Sequence, residues 1–109
     1  MPEPTLQDIF GGGATQDATT LTISKANLST TGLTASATNR AESLFVAILL
    51  LAKTTLTADG LNTNPDQSIS IEDSFESLVT RNNQTYRQKT YSINLQKLDT
   101  SSVIDPDDY

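Results

Sequence analysis

The run Thr38–Leu56, T-N-R-A-E-S-L-F-V-A-I-L-L-L-A-K-T-T-L, decides the fold. Its centre, Leu44 to Ala52, is nine consecutive apolar residues, and no other part of the chain is as hydrophobic. Asn39 followed three residues later by Glu42 reads as a capping box, and Glu42 suits the positive end of a helix dipole. Lys53 suits the opposite pole. The pattern predicts a helix of about four turns, apolar round most of its circumference, which needs cover on several sides. A chain of 109 residues with few other apolar side chains is poorly equipped to supply that cover alone, and this points to self-association. The apolar run is also only about half of the ~20 residues a membrane-spanning helix needs, and Arg40, Glu42 and Lys53 bracket it closely.

On the N-terminal side, Lys25 to Ser36 is turn-rich, with Leu28 and Leu33 as anchors into the core. Thr19 to Ser24, T-T-L-T-I-S, alternates Leu21 and Ile23 with threonines, as a half-buried antiparallel strand does. Gly11-Gly12-Gly13 reads as a flexible joint, so residues 1–13 are expected to form an arm that docks on a neighbour. A phosphate-cradling loop is the rival reading, and it lacks both the Lys-Ser/Thr pair and a preceding buried strand. Within the arm, Leu6, Ile9 and Phe10 fit one helical turn capped by Thr5. The start, M-P-E-P-T, has neither a basic nor an apolar segment of the kind a secretory leader carries. A soluble product made in the cytoplasm is the expectation. Two sequons, Asn27-Leu28-Ser29 and Asn83-Gln84-Thr85, carry no weight without secretion.

On the C-terminal side, residues 57–67 read as a loop, with Asp59-Gly60 and Asn64-Pro65 as turn signals. Ser68 to Glu72 alternates with Ile69 and Ile71 inward, and Phe75, Leu78 and Val79 continue the strand or form a short helix. Arg81-Asn82-Asn83-Gln84 reads as a hairpin turn, since Asn tolerates left-handed backbone angles. Thr85 to Leu98 is the longest strand candidate, with Tyr91, Ile93 and Leu95 on one face. It exceeds the usual strand length, so a bulge or bend near Arg87–Lys89 is expected. The expected fold is α+β: a small antiparallel sheet packed on one central helix, in a single domain of residues 1–109 with extended N- and C-terminal arms.

Composition narrows function. Hydrophobic residues make up 36 % of the chain. Adding the glycines gives about 40 %, below the ~45–50 % usual for globular chains. Ser, Thr, Asn and Gln fill the deficit at 41 positions, a bias commoner in β-rich assembly, adhesin-like or virion proteins than in cytosolic enzymes. The net charge of −6 opposes a nucleic-acid groove. With no Cys and no His, disulfides, zinc ribbons and the commonest general base are absent.

Four groups of residues are candidates for chemistry. Asn62, Asn64, Asp66 and Asp73 fall at calcium-loop positions, but Gln67 stands where glycine is needed and Pro65 intrudes. Arg81, Tyr86, Arg87, Lys89, Tyr91 and Lys97 interleave cations with aromatics, as single-strand binders do. A lysine-bearing strand equally protects an exposed sheet edge, and the stretch suits an acidic segment of a neighbouring copy. The tail Asp105, Asp107, Asp108 and Tyr109, within residues 99–109, supplies such a segment, against its plain reading as a solvated end. Glu72, Asp73 and Glu76 could cluster as catalytic carboxylates, but a chain this small would struggle to build a cleft between them. The chain is read as non-enzymatic, without cofactor or metal, and with no nucleic-acid or membrane partner.

The blocks L-Q-D-I-F-G-G-G-A-T-Q, T-N-R-A-E-S-L-F-V-A-I-L-L-L-A and N-N-Q-T-Y-R-Q-K-T-Y-S-I-N-L together resemble short proteins, without assigned activity, of cyanobacteria and their phages. The resemblance covers most of the chain and contains no motif diagnostic of an activity, so no functional residues carry over. Its phage side implies a small structural part of a virion or tail-like particle, although tube, sheath and major-capsid patterns are not matched. The expected function is therefore structural: self-association, or decoration of a larger particle. The contacts would come from Leu44, Phe45, Ile48, Leu49 and Leu51 on the helix, Arg87 and Lys89 on the strand, and the tail. The alternative is a small cytoplasmic binding or regulatory module with an apolar pocket.

Overall fold

In the computed structural model, which describes residues 3–98 and 104–109, the elements run α1 (Leu6–Phe10), β1 (Thr15–Gln16), β2 (Leu21–Thr22), a 3-10 helix (Lys25–Thr31), α2 (Ala41–Thr55), α3 (Ala58–Thr63), β3 (Ile69–Arg81), β4 (Gln84–Leu95) and a closing 3-10 turn (Pro106–Asp108). The class is mixed α+β, an antiparallel β3–β4 hairpin packed on the central helix α2. β1 and β2 pair in a separate two-stranded ladder.

The apolar run forms α2 as predicted, but the expected capping box is absent. The N-cap is Arg40, with no side-chain cap. Asn39 instead accepts from the Ser36 N–H and donates to the Thr34 carbonyl, each at 2.9 Å, so its amide closes the preceding loop. Lys53 does lie in the last turn, complementing the dipole. The genuine capping box is at α1, where Thr5 Oγ1 accepts from the Asp8 N–H and Asp8 accepts from the Thr5 N–H.

The N-terminal arm docks on its own chain. Ile9 packs against the core, and the Thr55 hydroxyl donates to the Asp8 carbonyl at 3.1 Å. The glycine joint is fixed rather than free. Gly11 is buried at φ +106°, and Gly13 N–H donates to Asn27 Oδ1 at 2.8 Å.

Two further expectations are corrected. The strand at Thr19–Ser24 shrinks to two residues, Leu21–Thr22, and Leu21 is exposed. Asp17 folds its turn, accepting from the Thr19 and Thr20 N–H groups at 2.9 and 2.8 Å. The chain then enters the 3-10 helix, where Leu28 is the buried anchor. The loop expected at residues 57–67 contains α3, since Thr57 Oγ1 caps the Gly60 N–H at 2.9 Å and makes Asp59-Gly60 a first turn rather than a reverse turn.

The hairpin turn is Asn82-Asn83, both at positive φ (52° and 60°), the geometry of a two-residue primed turn. Pairing runs from Ile69↔Leu95 to Arg81↔Gln84. The bulge lies on β3, between Asp73 and Glu76 opposite Thr90, and not at Arg87–Lys89. It absorbs the extra residue of the longer strand. Ile69, Ile71, Tyr91, Ile93 and Leu95 do share one face, but the core covers only part of it, where Ile69, Ile71 and Tyr91 pack. Ile71 is buried, while Ile93 and Leu95 are exposed.

The core is thin. Ala52, Leu56 and Ile71 form its centre, with Ile9, Leu49, Ile69 and Tyr91 around them. Ile71 N–H donates to the Leu56 carbonyl at 2.8 Å, stitching β3 to the end of α2. Gln67 is buried and its amide donates to the Thr57 and Ile69 carbonyls at 2.9 and 2.8 Å. Beyond Asp73 the hairpin leaves the body. β4, with 12 residues, spans roughly 40 Å at ~3.4 Å per residue. The radius of gyration is accordingly 16.2 Å, where a chain of this length folded compactly has about 13 Å.

Candidate association surface

Two apolar areas are left open. On α2, Phe45 (68 % exposed) and Val46 (50 %) face solvent. Leu44, Ile48, Leu49 and Leu51 are half-buried, Leu49 against the core and Leu51 beside Gly11. Phe45 sits one turn before Leu49, so the stripe Leu49–Ala52–Leu56 that meets the hairpin continues uncovered toward the helix start. On the hairpin, Phe75, Leu78 (65 %), Ile93 and Leu95 are exposed, followed by Leu98 and, in the tail, Ile104. Monomeric proteins seldom leave large apolar side chains open in such number on so small a body; surface of this kind fits protein partners.

The cations expected to meet a neighbour have acids within their own hairpin. Arg87 pairs with Glu76 at 3.3 Å across the strands. Asp73 sits between Lys53 at 3.3 Å and Lys89 at 3.6 Å, tying the hairpin base to α2. Arg81 stacks on Tyr86 and Lys89 approaches Tyr91, with cation-to-centroid distances of 4.4 and 5.4 Å. All of these are surface interactions, of small individual value.

The tail returns to the body. Asp105 caps the closing turn by accepting from the Asp107 N–H at 3.0 Å, and Asp105 and Asp107 are exposed. Asp108 belongs to the same turn. Tyr109 is half-buried and lines a cavity of about 310 Å³ with Glu3, Pro4, Ile9, Phe10, Leu56 and Ile69. Residues 99–103 of the expected arm lie outside the described residues. A second, more open groove of about 560 Å³ runs beside the first half of α2, floored by Leu33, Val46, Ala47 and Leu50 and rimmed by Arg40 and Glu42. The cavity at Tyr109 joins segments far apart in the chain, which no local pattern signals, whereas the groove is lined wholly within residues 31–50.

The other candidates disperse. Of the calcium-loop positions, Asn62 is in α3, Asn64 is buried and accepts from the Asp66 N–H, and Asp73 is held by two lysines in β3. Pairing places Glu72 on the face opposite to Asp73, and Glu76 is bound to Arg87, so the three carboxylates do not converge. Among the described residues no three His, Cys, Asp or Glu side chains are grouped to hold a metal ion, and no helix is long and apolar enough to cross a membrane.

The fold and surface thus define a small α+β chain with open apolar area and a protruding hairpin. No family model, no curated protein and no solved structure matches this chain.

Proposed function

We propose that the chain is a small structural protein that self-associates, alone or as a part decorating a larger protein particle such as a virion or phage-tail-like assembly. It has no catalytic role and no cofactor, and it is made in the cytoplasm before incorporation. The observation that carries this reading is the hairpin. Its outer half leaves Phe75 and Leu78 open to water on a two-stranded ribbon, an arrangement only marginally stable until more strands or another surface cover it. Phe45 and Val46 extend the contact to α2.

Light scattering over a concentration range is the test. Growth to a discrete oligomer is expected, and a clean monomer at every concentration would sink the reading. The groove floored by Leu33, Val46, Ala47 and Leu50 favours a second reading, a binding module. It predicts a monomer whose Leu50 and Ala47 resonances shift when an apolar ligand is added.

A further inference from the structure

Among the described residues the hairpin has one regular open edge. Among the described residues β3 and β4 form a two-stranded ladder. The outer edge of β3 is already spoiled, since Ile71 N–H binds the Leu56 carbonyl and the bulge follows Asp73. β4 carries neither bulge nor proline from Gln84 to Leu95. Gln96 N–H donates inward to the Ser68 carbonyl at 2.7 Å, and Gln84 faces Arg81 across the two-residue turn. Even-numbered residues of β4 therefore turn their backbone groups toward β3. Odd-numbered residues, Thr85 to Leu95, turn theirs outward.

We infer that this edge pairs antiparallel with the β4 edge of a second copy, giving a four-stranded sheet with its two-fold axis at Thr90. The inference rests on the self-association reading and adds its surface and register. Charge selects the register. An axis at Gln88 sets Arg87 opposite Lys89 of the second copy, and an axis at Lys89 sets two lysines face to face; both are disfavoured. An axis at Thr90 places Lys89 opposite the second copy's Tyr91, Arg87 opposite Ile93 and Thr85 opposite Leu95. Moving it to Tyr91 or beyond also separates the charges, but shortens the overlap. Thr90 is thus the longest register with no like charges directly opposite one another, and it joins the outward N–H and C=O groups of every odd-numbered residue from 85 to 95. Edge cations ordinarily discourage strand pairing; here they reject the wrong alignments.

Single cysteines read the register, because the chain has none of its own. At the axis of a non-hydrogen-bonded pair two Cα atoms lie about 4.5 Å apart, within disulfide range. Thr90→Cys should cross-link to a covalent dimer on mild oxidation. Gln88→Cys and Ser92→Cys should not, since each lies roughly 14 Å from its own copy. Those two variants mixed should cross-link to each other, which gives the same readout should Thr90→Cys fold poorly. An oligomer showing neither preference overturns the edge and leaves association standing. A chain monomeric at every concentration overturns both.

Discussion

Gly11 is the residue on which the N-terminal packing turns. At φ +106° and ψ 158° it occupies a region open essentially to glycine alone, and an added Cβ would lie 2.7 Å from Asn27 Cβ. Gly11→Ala is expected to cost about 1–3 kcal/mol from backbone strain alone, with the clash adding to it. Urea denaturation checks this: the midpoint falls while the slope holds. Asp17 makes a second prediction at this scale. The N–H groups of Thr19 and Thr20, aided by their hydroxyls, stabilise its carboxylate and lower its pKa from the usual value to about 2. With the folded pKa depressed, the contribution of this turn is complete above the ordinary Asp range near pH ~4 and is lost as pH falls through about 2. A carboxyl-detected NMR titration should place the Asp17 midpoint there. A midpoint near 4 would mean the turn does not hold in solution.

At the scale of the element, α2 separates a folding position from an associating one within a single turn. Leu49→Asp buries a charge beside Ala52 and Ile71 and should cost about 2–4 kcal/mol. Phe45→Asp alters a side chain 68 % exposed and should stay within about 0.5 kcal/mol of the parent while weakening association. Thermal melts paired with light scattering read both effects, and equal destabilisation by the two would refute the division. This helix also shows what the sequence makes legible. Nine apolar residues in a row between Glu42 and Lys53, charges suited to the two poles of a helix, favour a helix, and the Asn82-Asn83 turn with flanking alternation favours a hairpin. The capping box at Asn39 and the loop at residues 57–67 went the other way, because the Asn39 amide closes a local loop and a Thr57 cap starts a short helix, choices the local pattern does not separate. Which side of an apolar element is covered was not legible at all. Alternation places Ile93 and Leu95 on the face of Ile71, but only tertiary packing shows that the core stops short of them.

For the whole molecule, the tail decides whether assembly and folding share parts. An acidic end carrying Asp105, Asp107 and Asp108 reads as an arm reaching outward, yet Tyr109 lines a cavity with Ile9, Phe10 and Ile69. Among the described residues, those packed around the core centre of Ala52, Leu56 and Ile71 are Ile9, Leu49, Ile69 and Tyr91, none of them from the tail. Truncation after Leu98 should therefore leave a folded chain that is less stable by about 1–2 kcal/mol, the share of a half-buried aromatic. That corresponds to a melting point lowered by roughly 4–8 °C for each kcal/mol in a domain of this size. Association should persist, since the open area on α2 and the β4 edge are untouched by the cut. Circular dichroism melts and scattering mass on the truncated chain separate the possibilities. Loss of the oligomer with the fold intact would transfer the contact to the tail, and outright unfolding would show that the cavity around Tyr109 belongs to the core.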